Sequence, residues 1–288
     1  MSQPVFLAVE TGGTKIVWRV AEAAGAVLGE GRFATGRPDD AVEALVAAAD
    51  GRAVAALGVA SFGPVVVDPQ SPDYGRMLPT PKPGWAGFNL ARALGERLAA
   101  SYAVDTDVNA AAMAEAALGA GRGARAAAYV TVGTGIGGGL SVEGRTLKGA
   151  LHPEIGHLFV RRAPGDAQQS ACPFHADCVE GLAAGPAVQA RLNGRRLEDA
   201  PEVRAVVADY LGQLVAGLVF AWAPDRVVFG GGVMSTPGLL AEVEAQARAA
   251  VAGYGSAVVM GEGGYVVPAA LEHAGLEGAL LMARRLLD

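Results

Sequence analysis

Cysteine is nearly missing from this chain, with two among 288 residues, Cys172 and Cys178. A disulfide framework is therefore excluded, and stability has to come from a packed core. Positive charge is also scarce: 23 Lys plus Arg stand against 29 Asp plus Glu, a net charge of −6. No broad basic face is available to neutralise a phosphate backbone, which argues against nucleic acid as a partner. Apolar runs are broken by Gly, Pro or charge short of a membrane span, and the opening Met-Ser-Gln-Pro lacks the basic-then-apolar order of an export signal. These absences predict a cytoplasmic protein with no membrane partner.

What the chain has in quantity is small and apolar: 51% hydrophobic residues and 41 Gly. At this length such a composition buries a large core, most naturally in two lobes. Glycine is spread over the whole chain, so single glycines carry little meaning and only clusters are informative.

Residues 4–10 read as a buried strand and 15–21 as a second, with the turn Thr11-Gly12-Gly13-Thr14 between them. Residues 39–49 and 88–100 have helical spacing, and 53–60 and 102–105 have strand character. A helix is expected over 108–118, directly after Asp107. Residues 126–132 form another strand, followed by the loop Gly133-Thr134-Gly135-Ile136-Gly137-Gly138-Gly139 and a strand from Leu140, so the first hairpin is echoed. Helices over 185–192, 201–221, 237–252 and 276–287, with a strand over 226–229, complete an α/β pattern.

Glycines between paired strands let backbone N–H groups approach a phosphate, and hydroxyl or ammonium groups add donors. Glu10-Thr11-Gly12-Gly13-Thr14-Lys15 has this character, as does the stretch around Thr134, Gly135 and Gly137; Gly230-Gly231-Gly232 forms a third turn. Each alone is equally an ordinary turn. Asp107, just past a strand end, suits a general base that takes a proton from an attacking hydroxyl, or else a helix cap. Cys172, His175 and Cys178 lie in one short segment and supply three donors of a closed tetrahedral Zn²⁺ site; a reduced thiol pair or a redox disulfide is the alternative.

Taken together, residues 10–15, 107–109, 131–140 and 228–233 resemble the ROK family of bacterial sugar kinases over nearly the whole chain. His152-Pro153-Glu154-Ile155-Gly156-His157 and the Cys172–Cys178 segment are most similar to its fructokinase branch. The resemblance implies an actin/hexokinase-type fold: two α/β lobes with mixed sheets and an interlobe cleft, a small one over 1–118 with a terminal helix near 275–288 packing back on it, and a large one over 119–274. It implies ATP with Mg²⁺ as phosphoryl donor, a hexose as acceptor (D-fructose at its 6-hydroxyl), and a homodimer. Asp107 becomes the base. Glu154, His157 and Glu180 match sugar-gripping positions, Gly63 lies in a loop that closes over the sugar, and Gly231 and Gly232 take the adenosine side. His157 is nominated as fourth Zn²⁺ ligand, with His152 as fallback. The chain departs from the pattern at Thr106, where relatives carry a sugar-holding Asn, and at Glu10, where relatives carry Asp and where the longer side chain reaches toward Mg²⁺ or its water shell. Glucose, mannose or an N-acetylhexosamine remain alternative acceptors. A sugar-sensing repressor is the alternative of another class, disfavoured because the first strand begins near Pro4, with no DNA-binding segment ahead of it.

Overall fold

The computed structural model of the protein describes residues 3–287. The outermost ends of the expected lobes, residues 1, 2 and 288, lie outside the described residues. The chain divides into two compact units. One takes everything up to Ala114, together with Thr146–Pro153 and the chain from His273 on; the other takes Glu115–Arg145 and Glu154–Glu272.

The first unit is built on a five-stranded sheet in the order β3-β2-β1-β4-β5, with β1 at Val5–Thr11, β2 at Lys15–Glu22, β3 at Val27–Ala34, β4 at Val54–Ser61 and β5 at Ser101–Thr106. β1 and β2 pair antiparallel, whereas β1, β4 and β5 run parallel. In β1 the two-residue period sends Leu7 and Val9 to one face and Phe6 and Ala8 to the other, and both faces are buried. The first face packs on α1 (Pro38–Ala48) and α2 (Leu90–Leu98), and the second on α3 (Asp107–Leu118) and the terminal α8 (Ala274–Arg284). Burial on both faces is why β1 reads as an unbroken apolar run. Two glycines set how close α8 lies: a Cβ at Gly58 would sit 1.9 Å from Ala279 O, and one at Gly278 would sit 2.1 Å from Ala110 O.

The second unit repeats the plan. Its sheet runs β10-β9-β6-β7-β8, with β6 at Ala126–Val132, β7 at Ile136–Val142, β8 at Arg145–Thr146, β9 at Arg226–Gly230 and β10 at Val266–Pro268. β6 pairs antiparallel with β7 and parallel with β9, so β6 stands where β1 stands in the first sheet. Around it lie α4 (Val179–Ala183), α5 (Gly185–Leu192), α6 (Pro201–Ala221) and α7 (Leu239–Val251). Among the described residues α6 alone is long and apolar enough to cross a membrane by length and composition. Its Val207, Leu211, Leu214 and Val215 lie in the core of this unit, which accounts for its composition.

Two local expectations are corrected. Gly137, Gly138 and Gly139 belong to β7 and not to a loop. Gly138 is needed inside a strand because a Cβ there would meet Ile155 Cδ1 at 2.3 Å and Tyr129 O at 2.8 Å. β3, which the sequence pattern hides, carries Gly29 and Gly31 beneath the Trp18 indole, where a Cβ on Gly31 would come within 2.9 Å of the ring.

Candidate active site

In the first unit the candidate residues gather at one edge of the sheet. Register places Thr11 beside Ser61 and Ser61 beside Thr106, so the carboxyl ends of three parallel strands finish level. Ligands of open α/β sheets bind outside such ends. From this edge leave the Gly12–Lys15 turn, the Phe62-Gly63-Pro64 segment with its cis Gly63–Pro64 peptide, and α3 with Asp107 in its first turn. Thr11 Oγ1 donates to Ser61 Oγ at 3.3 Å and accepts from Phe62 N–H at 3.2 Å, which fixes the edge internally. The first turn closes through Gly12 N–H donating to Lys15 O at 2.8 Å, and Gly13, Thr14 and Lys15 are exposed.

Asp107 is half-buried, and its Oδ1 accepts from Val108 N–H at 2.9 Å. The helix cap is supplied one residue earlier: Thr106 Oγ1 accepts from Asn109 N–H at 3.1 Å, the ordinary hydroxyl capping bond. Helix α3 therefore begins on the candidate base itself and not after it, and the alternative reading of Asp107 as the cap is overturned. Thr106, expected to contact the sugar, is buried, and its hydroxyl makes this capping bond.

Glu10, expected to reach toward Mg²⁺ or its water shell, is half-buried at the end of β1. Its carboxylate meets the start of α8, accepting from Leu276 N–H, and Gly275 leaves the room: a Cβ there would lie 2.7 Å from Glu10 Cδ. Burial holds the Glu10 carboxyl above its ordinary range, offset in part by His273, the Leu276 amide and Lys15. The folded state thus binds this proton more readily than the unfolded chain, and stability from this group falls as pH rises through the window between the ordinary glutamate value and the raised one. Glu10→Gln, which keeps the acceptor for Leu276, is expected to gain stability relative to the parent across that window and to hold a constant offset below it. Urea melts at stepped pH measure the difference; a pH-independent offset would contradict the assignment.

In the second unit, β6 and β9 end level at Thr131 and Gly230, and from them leave the Gly133–Gly135 turn and Gly231-Gly232. Thr134 is exposed, and Gly133 N–H donates to Gly135 O at 2.9 Å. Gly231 has φ +90° and packs its α-carbon against the Val132 backbone, where a Cβ would come within 2.3 Å of the carbonyl oxygen. A pocket of about 440 Å³ opens beside Gly232, walled by Val188, Leu192 and Leu197 with Gln189 and Arg195 at its rim. Polar groups from Gln189, Arg195, Arg196 and Thr236 share this lining with the apolar side chains, a mixed wall that suits a nucleoside.

One other expected residue braces this turn. Glu180 on α4 accepts from Ile136 N–H at 2.9 Å through Oε2, and the same oxygen would collide at 2.7 Å with a Cβ on Gly135. Its observed partner is thus Ile136, where the Gly133–Gly135 turn enters β7. The Glu154–His157 stretch forms a short 3-10 turn on β7, allowed by Gly156, whose added Cβ would lie 1.9 Å from Ile136 O. Glu154 is exposed and His157 half-buried.

His157, Cys172, His175 and Cys178 come together with all four donor atoms within 4.8 Å of one another. Cys172 Sγ lies 3.9 Å from His157 Nδ1 and 3.7 Å from His175 Nδ1. Tetrahedral Zn²⁺ with two sulfur and two nitrogen ligands requires donor separations of roughly 3.3–3.8 Å, so the set fits the ion with a small contraction. Cys178 also caps α4, accepting from Gly181 N–H at 3.4 Å. Gly181 permits the fold of the knuckle: a Cβ there would strike Ser170 Oγ at 2.0 Å. The fallback ligand His152 is used elsewhere, its Nε2 accepting from Val65 N–H at 3.2 Å.

Sequence reasoning missed Asp105, a buried carboxylate two residues before Asp107, and Lys148 and Thr146, which bond to it. Its only signal is a second acidic residue at the end of β5.

Comparison with known proteins identifies the family of the chain. The ROK family profile matches residues 6–286. The chain is 36% identical to a fructokinase of Pediococcus pentosaceus, over 97% of this chain and 98% of that protein. It is 35% identical to a fructokinase of Zymomonas mobilis, over 97% and 96%. Among solved structures, a ROK hexokinase from Thermus thermophilus superposes with a TM-score of 0.80 at 30% identity, covering 98% of this chain and 99% of that one. A ROK family glucokinase from Streptomyces griseus, in complex with glucose and AMPPNP, gives 0.71 at 25% identity, covering 98% and 99%.

Proposed function

Because the chain belongs to the ROK family, we propose that it transfers the γ-phosphoryl group of ATP to a hexose hydroxyl, with the 6-hydroxyl of D-fructose the favoured acceptor. The acceptor assignment is supported by the full-length similarity to fructokinases. The observation that carries the chemistry is Asp107: a half-buried carboxylate on the first turn of a helix whose cap is already supplied by Thr106.

In this reading the sugar 6-oxygen attacks the γ-phosphorus, the P–O bond to ADP breaks, and the hydroxyl proton passes to Asp107 Oδ. The Gly12–Lys15 and Gly133–Gly135 turns offer N–H, hydroxyl and ammonium donors to the triphosphate, and the pocket beside Gly232 receives the adenosine. Mg²⁺, bound with the nucleotide, would supply neutralisation of the phosphate charge; Glu10 would contact its water shell. Glu154 and His157 face the sugar, His157 also completing the zinc set, and Glu180 holds the phosphate turn in place. A cytoplasmic homodimer is the proposed state.

ADP release measured over a panel of hexoses tests the reading. The expected result is the highest kcat/KM on fructose, with a 6-phosphate product by NMR. A higher value on glucose, mannose or an N-acetylhexosamine would move the acceptor within the family, and no turnover on any hexose would remove the kinase assignment.

A further inference from the structure

We infer that Asp105 is a positioning residue for the acceptor side, holding the turn that carries Asp107 and tying it to the Thr146–Lys148 strap; this rests on the kinase reading above. The Asp105 side chain is 2% exposed and that of Lys148 28%. Each oxygen of the buried carboxylate serves a different segment. Oδ1 accepts from Thr106 N–H and from Asn109 Nδ2, both at 2.8 Å, so it grips the chain on either side of Asp107. Oδ2 accepts from Thr146 Oγ1 at 2.7 Å and pairs with Lys148 Nζ at 2.9 Å.

A buried ion pair is a poor device for stability alone, since well-packed apolar side chains of similar volume do as well or better. What the carboxylate adds is direction. Four donors converge on it, all acceptor directions are used, and neither the helix turn nor the strap can shift without breaking a charge-assisted bond. Asn109 tells the same way: with Nδ2 committed to Asp105, its Oδ1 is buried without a protein partner. The fold accepts that cost to keep the first turn of α3 in this orientation. In phosphoryl transfer, where catalysis is mostly placement, a base displaced by about 1 Å loses on the order of 100-fold.

The test is steady-state kinetics on the full chain, with melting temperature followed in parallel. The isosteric Asp105→Asn must turn an NH₂ group against existing donors whichever way it lies. It is expected to lower kcat about 30- to 100-fold, with KM for ATP unchanged. Adding Lys148→Met removes the opposed ammonium and should return kcat to within about tenfold of the parent. A merely structural role would lower the melting temperature while leaving kcat per folded molecule within threefold, and that result overturns the inference. If Asp105→Asn does not fold, Thr146→Val carries the test. It removes one donor, keeps the ion pair, and is expected to cost roughly three- to tenfold in kcat; an unchanged kcat again overturns the idea. A parent inactive on every hexose would take away the kinase reading and this inference with it, whereas an active parent with unaffected variants removes the inference alone.

Discussion

Asp107→Asn is expected to lower kcat for hexose phosphorylation by about 1,000-fold while the protein stays folded and still binds sugar. General-base contributions run from about 100- to 10,000-fold. The lower part of that range would apply if proton transfer were late in a loose phosphoryl-transfer transition state, with Asp107 acting mainly by aligning the attacking oxygen. Folding should tolerate the change because the cap bond belongs to Thr106. What is lost is a charge at the positive end of α3, worth about 0.3–1 kcal/mol, or a few degrees in melting temperature. Thr106→Ala supplies the reciprocal control: loss of the cap should cost about 1 kcal/mol, with a smaller effect on kcat than the Asn variant. Activity of Asp107→Asn within tenfold of the parent would place the base elsewhere.

The contrast between those neighbouring residues shows what the sequence could and could not convey. Strand β1 was legible because both its faces are buried and it reads as a continuous apolar run. Its counterpart β6 was legible for the same reason, which made the echoed hairpin visible before any fold was known. β3 was not, because its glycines serve the Trp18 ring and its charges face outward, so pairing and not propensity makes it a strand. Asp107 could be singled out from its place after a strand, but whether it or Thr106 capped α3 depended on a single backbone turn. Asp105 was invisible because its partners Thr146 and Lys148 come from a distant excursion of the chain. Glu180 matches a sugar-gripping position of the family, whereas its bond to the Ile136 amide is a product of packing that no motif announces. The wall of the pocket beside Gly232 was missed for a related reason, since Val188, Leu192 and Leu197 carry no motif and come together only in the fold. A cluster close in sequence, by contrast, was legible: Cys172, His175 and Cys178, three of the four donors that come together with His157, lie within one segment.

That cluster supports the second large effect. Purified protein is expected to hold one Zn²⁺ per chain, and Cys178→Ala and His175→Ala should each abolish it and lower stability by about 3–5 kcal/mol, on the order of 10 °C in melting temperature. The pair of variants separates metal from packing. Cys178 is fully buried and would cost something as a small apolar side chain in any case, about 1 kcal/mol. His175 is half-exposed, flanked by the strongly exposed Phe159 and Phe174, and without a metal its truncation should cost little. Equal and large losses therefore mean a shared ion. Burial, with Cys172 adding to it, pushes the Cys178 thiol up to about 11 against the opposing Gly181 amide, so the metal-free knuckle keeps that proton at neutral pH and Zn²⁺ must displace it. Zinc retention should accordingly weaken as pH falls. Because the knuckle shares His157 with the Glu154–His157 turn, which Gly156 seats on Ile136 beside the Gly133–Gly135 turn, chelation is expected to raise KM for the sugar before the protein unfolds. Unaltered kinetics in fully demetallated, folded protein would confine the ion to a purely structural role, and a metal content well below one equivalent in protein purified without chelators would remove it altogether.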